Sequence, residues 1–74
     1  MSRPHVVRTA VESSLLSSIG YSTDATLELQ FRSGAIYRYF AVPQTVFEAL
    51  AAAESKGAYF NRNVRNRFSY QRIV

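Results

Sequence analysis

The sequence predicts an α+β domain: a three-stranded antiparallel β-meander followed by a two-helix hairpin packed on one face of the sheet. Three observations predict it. Residues 26–32 alternate between apolar and polar side chains, the period of a strand with one buried face. After Pro43 the apolar residues recur at helical spacing instead. The strand-like segments all come before the helix-like ones, an order that favours α+β over a βαβ arrangement.

Residues 1–12 show no sustained period. Val6, Val7 and Val11 are compatible with an added strand or with a flexible tail, so the domain proper is placed at 13–74. The first predicted strand is the second half of Ser13 to Tyr21, and Ser22-Thr23-Asp24 supplies turn chemistry through short side chains that bond their own backbone. In the next strand Leu27, Leu29 and Phe31 alternate with Glu28, Gln30 and Arg32. Ala35 to Val42 returns after a hairpin at Arg32-Ser33-Gly34.

The register of this hairpin decides where the tyrosines point. A two-residue type I′ loop needs positive φ at Ser33, whereas a three-residue loop with a G1 bulge needs it only at Gly34. The second option pairs Leu29 with Tyr37 and Leu27 with Tyr39, and cross-strand partners share a face. Tyr37 and Tyr39 therefore join the leucines, and Arg38, Ile36 and Phe40 fall on the other side.

Pro43 ends the strand and suits the first turn of a helix. Val46, Phe47, Leu50 and Ala53 form that helix's apolar face, and Gly57 is expected to adopt its αL cap. A second helix is expected from near Ala58 to near Arg67, with Phe60, Val64 and Phe68 as its buried stripe.

The 74 residues suffice for one small domain, and ten aromatic side chains (five Tyr, five Phe) compensate for its modest core. With no cysteine, disulfides and thiolate metal sites are excluded. No apolar run reaches membrane-spanning length, so a cytoplasmic protein is expected with no membrane partner. His5, assigned to the tail, is the single imidazole, and the carboxylates are scattered, so no metal or cofactor is expected. The serine pairs at 13–14 and 17–18 have no neighbouring base and read as backbone caps. A small hydrolase would need an acid or base near the arginines that nothing in the sequence places there, so no enzymatic activity is expected.

Charge is where the chain is most asymmetric. Lys56 to Val74 holds five cations and no acid, whereas the preceding residues are nearly balanced. The candidate nucleic-acid-binding residues are Lys56, Arg62, Arg65, Asn66 and Arg72: cations neutralise phosphates, and amides bond base edges or sugars. Arg62 and Arg65 are the expected anchors. A basic helix face is equally what solvation and the macrodipole would select near a helix C-terminus. For Tyr37 and Tyr39, a core role takes precedence over a base-stacking one, because they share a face with Leu27, Leu29 and Phe31.

Ser13-Ser14, Ile19-Gly20-Tyr21, Phe31-x-x-Gly34, Tyr37-x-Tyr39, Val42-Pro43 and Ser55-x-Gly57-x-x-Phe60-Asn61 together resemble the KTSC domain family over roughly residues 13–70. That family is named for a segment at the C-terminus of some lysyl-tRNA synthetases and also occurs as stand-alone bacterial proteins of about this size. The resemblance implies structural importance for Gly34, Tyr37, Tyr39, Pro43, Gly57 and Phe60, brings no catalytic residue, and points towards RNA. Two functions are therefore expected side by side. One is non-catalytic binding of RNA or another nucleic acid through a basic C-terminal helix. The other is a protein-interaction module docking an acidic partner or a second copy, which an exposed Ile36–Phe40 patch would favour.

Overall fold

The computed structural model describes residues 6–74; His5 and the rest of the first five lie outside it. The class is α+β as expected, but the sheet has five strands rather than three. They are β1 (Arg8–Ala10), β2 (Leu16–Tyr21), β3 (Leu27–Phe31), β4 (Ile36–Tyr39) and β5 (Tyr70–Arg72), arranged antiparallel in chain order. The helices α1 (Gln44–Ala52) and α2 (Lys56–Asn63) lie in the connection between β4 and β5.

The central hairpin has the expected register, with Leu27 opposite Tyr39 and Leu29 opposite Tyr37. Gly34 sits at φ 97°, and its N–H donates to the Phe31 carbonyl at 2.9 Å, closing the loop on the residue that tolerates this backbone. Between β2 and β3 the register slips between Leu16 and Ser18. The bulge puts Leu16 and Ile19 on one face although they are three residues apart, and both are buried. Ser13 caps the entry to β2, its Oγ accepting from the Leu15 and Leu16 amides at 3.1 and 3.2 Å.

The core forms between that face of the sheet and the two helices: Leu16, Ile19, Leu27, Leu29 and Tyr39 meet Val42, Leu50, Phe60 and Val64. Tyr21 stacks on Phe47 of α1 with centroids 5.1 Å apart, and its hydroxyl donates to the Val42 carbonyl at 2.5 Å. These contacts tie α1 to the sheet.

Three local expectations need correction. Gly57 is not an αL cap; α1 ends on Ala53 in extended backbone, and Gly57 lies in the first turn of α2. A Cβ at Gly57 would lie 3.3 Å from the Leu15 Cβ, so the small residue serves close helix–sheet packing. The second helix starts at Lys56, with the Ser55 hydroxyl accepting from the Ala58 amide at 3.2 Å, and stops at Asn63 instead of running to Arg67. The chain then unwinds through a turn and forms β5, a strand that the expected scheme lacks. Ile73 and Val74 continue the pairing through backbone bonds with Ile36.

On the opposite face, Glu28 is 4% exposed and bridges two arginines: Arg8 Nη1 at 2.5 Å and Arg38 Nε at 2.7 Å. Arg38 does point away from the leucines. Its charge is met by Glu28, directly across the β3–β4 ladder. Beside this triad, Gly20 allows β1 to approach β2 closely, since a Cβ there would stand 2.5 Å from the Val7 carbonyl oxygen.

Candidate functional site

β4 and β5 present one continuous aromatic surface because their register places Tyr39 opposite Tyr70 and Tyr37 opposite Arg72. All four side chains share the face that the helices cover further along the sheet. Tyr37 and Tyr39 are near-parallel with centroids 6.3 Å apart, and the Tyr70 ring lies 5.6 Å from the first and 5.7 Å from the second. Phe60 of α2 meets Tyr39 and Phe31 edge-on. Burial falls outward across the cluster: Tyr39 is 5% exposed, Tyr37 half-buried, and Tyr70 57% exposed.

Past α2 this surface is left uncovered and forms the floor of a cleft of about 620 Å³. The volume lies within the ~300–1,000 Å³ typical of small-ligand sites. Its polar rim comes from four places: Ser33 from the β3–β4 loop, Asn61 from α2, Arg65 and Asn66 from the following turn, and Arg72 from β5. The turn is built by the backbone. The Arg65 amide donates to the Phe60 carbonyl at 2.9 Å, the Arg67 amide to the Val64 carbonyl at 3.0 Å, and Asn66 holds φ 61°. Asparagine is among the few non-glycine residues that visit this region readily.

Electrostatically the cleft is cationic. No carboxylate lines it, and among the described residues the ion pairs are Arg8–Glu28 and Arg38–Glu28 on the opposite face. Arg65 and Arg72 are exposed, and Arg72 Nε donates to the Val74 carbonyl at 2.9 Å. The Tyr39 phenol is pushed up to about 12, first by burial and then by the neighbouring Tyr37 and Tyr70 phenols, against the pull of Arg65. At neutral pH it is a hydroxyl with an apolar ring, suited to packing and to hydrogen bonding rather than to acting as a base. Outside the cleft, Asp24 is lowered below its usual range, chiefly by the Ser22 hydroxyl and then by Thr26.

The five expected cationic and amide residues are thus divided. Arg65, Asn66 and Arg72 converge on the cleft. Arg62 is exposed on α2 without lining it, and Lys56 turns its Nζ to the Ala53 carbonyl at 3.0 Å. The basic residues do not form one helical stripe: Lys56 and Arg62 belong to α2, Arg65 and Arg67 to the turn, and Arg72 to a strand. Tyr37 and Tyr39 are core residues on one side and cleft floor on the other. Tyr70 is absent from the expected site; its three-residue strand carries no periodic signal, and the pairing with β4 brings it there. Ile36 is only 9% exposed, so it cannot form an exposed patch with the half-buried Phe40.

Among the described residues no cluster of His, Asp or Glu is arranged to hold a metal, and no helix is long and apolar enough to cross a membrane.

The family model of the KTSC domain matches residues 12–68. A lysine–tRNA ligase of Trichormus variabilis is 43% identical over 63 residues, taking in 84% of this chain but only 11% of the ligase. An uncharacterized protein of Stutzerimonas stutzeri is 46% identical over 68 residues, 89% of this chain and 96% of that protein. The crystal structure of a KTSC domain protein from Yersinia pestis aligns with a TM-score of 0.91 at 34% identity, covering 95% of this chain and 100% of that one.

Proposed function

The chain belongs to the KTSC domain family, and on that premise we propose that it is a non-catalytic nucleic-acid-binding domain, with RNA as the ligand class, that grips phosphate through Arg65 and Arg72. The observation that carries the reading is the convergence of these two cations, from a turn and a strand, on an aromatic cleft that no carboxylate lines. Among the described residues neither guanidinium pairs with an Asp or Glu side chain, so both can neutralise phosphate, Arg72 through the nitrogens that its Nε–Val74 bond leaves unused, and adjoining amides can bond sugar or base. The similarity to a lysine–tRNA ligase supports the choice of RNA, since that enzyme by its name acts on tRNA. Arg62 and Lys56 lie outside the cleft and add to the surrounding field, which speeds encounter more than it holds the complex.

The test is an RNA and DNA titration at two salt concentrations with wild type, Arg65→Ala/Arg72→Ala and Arg62→Ala. The double variant should lose most of the affinity while keeping its melting curve, and Arg62→Ala should lose less. Failure of the wild type to bind either nucleic acid at low salt would overturn the reading.

A further inference from the structure

The floor of the cleft specifies more than charge, and we infer that it selects unpaired bases: one nucleotide of a single strand stacks on Tyr70 while Arg65 and Arg72 hold its flanking phosphates. This rests on the nucleic-acid reading above. Tyr37, Tyr39 and Tyr70 already pack on one another at 5.6–6.3 Å, so no base enters between them. Tyr70 is the outermost ring, 57% exposed and tilted 44° and 36° to Tyr37 and Tyr39. A largely exposed ring held in place by two others offers a base something to stack on, and a base held within a duplex has no face free to meet it. Asn61 and Asn66 stand on the rim of the same cleft, where their amides can meet the edge of a stacked base.

The geometry also limits the footprint. Only two arginines line the cleft, so a site of this kind engages two phosphates and not the four that a stripe of Lys56, Arg62, Arg65 and Arg72 would engage. For a single strand, two neutralised phosphates correspond to a slope of log affinity against log salt of about −1.4, and four to about −2.8.

The experiment is fluorescence anisotropy with a labelled single-stranded RNA, the same sequence as a duplex, and a series of shorter oligonucleotides, using wild type, Tyr70→Ala and Tyr70→Phe. Single strands should bind at least about tenfold more tightly than the duplex, Tyr70→Ala should weaken them by about 5- to 150-fold, and Tyr70→Phe should retain the binding. The salt slope should lie near −1.4. Equal binding of duplex and single strand, or an unchanged Tyr70→Ala, would overturn base stacking yet leave nucleic-acid binding standing. Absence of binding to every probe would overturn both. Because Tyr70 lies at the exposed edge of the cluster, circular dichroism of its variants should match wild type.

Discussion

Replacing Glu28 by glutamine keeps the shape of the side chain and removes the one negative charge between two guanidinium groups. Its carboxylate is 5% exposed, whereas the side chains of Arg8 and Arg38 are 27% and 19% exposed. Breaking a fully buried ion pair costs about 3–5 kcal/mol, and losing an exposed one at most about 1 kcal/mol. The arginines retain partial access to water and can turn outward, so the expected loss lies between these limits, about 2–3 kcal/mol. For a domain of this size that lowers Tm by about 8–24 °C. Urea melts at neutral pH followed by far-UV circular dichroism should show a lower midpoint with an unchanged slope. Arg8→Met, which removes only one of the two pairs, should lose less than Glu28→Gln. A Glu28→Gln variant within about 0.5 kcal/mol of wild type would mean that the carboxylate adds nothing beyond its bulk, contrary to a stabilising Arg8–Glu28–Arg38 triad.

Gly20→Ala should also destabilise the domain, by about 1–3 kcal/mol, since its Cβ would stand 2.5 Å from the Val7 carbonyl oxygen and 2.9 Å from the Val6 side chain. The loss should be local, with hydrogen-exchange protection falling at Arg8–Ala10 before the central hairpin. Tyr39 links stability to alkaline pH. Its folded pKa of about 12 lies above the ~10 of an unfolded tyrosine, so its contribution is full below pH ~10 and is lost as pH rises towards 12. The loss amounts to at most about 3 kcal/mol. Urea melts across that range should show it in wild type and not in Tyr39→Phe.

The parts of the fold legible in the sequence are those whose signals are local and long enough to repeat. The β3–β4 hairpin shows this: its alternation fixes the faces, and Gly34 fixes the loop, so the positions of Tyr37, Tyr39 and Arg38 follow. Strands β1 and β5 are three residues each, too short for alternation to separate strand from loop. They exist because distant partners, β2 and β4, offer them open edges. The end of α2 departs from the expected one for a different reason. Phe60, Val64 and Phe68 keep helical spacing, yet the backbone leaves the helix at Val64, and only Asn66, a residue suited to positive φ, marked the break. Four residues of the candidate site depend on that break. Arg65 and Asn66 reach the cleft from the turn, and Tyr70 and Arg72 reach it from β5, so a continuous helix would have assembled a different surface. Gly57 shows a further limit, because a glycine required by contact with Leu15 looks the same in sequence as one required by a cap.

Amide chemical-shift mapping of the full chain with a short single-stranded RNA locates the contact without mutation. The largest shifts should fall on Asn61, Arg65, Asn66 and Tyr70–Arg72, with smaller ones on Tyr37 and Tyr39. Shifts concentrated instead around Lys56 and Arg62, or on the Arg8–Glu28–Arg38 face, would contradict binding at the cleft.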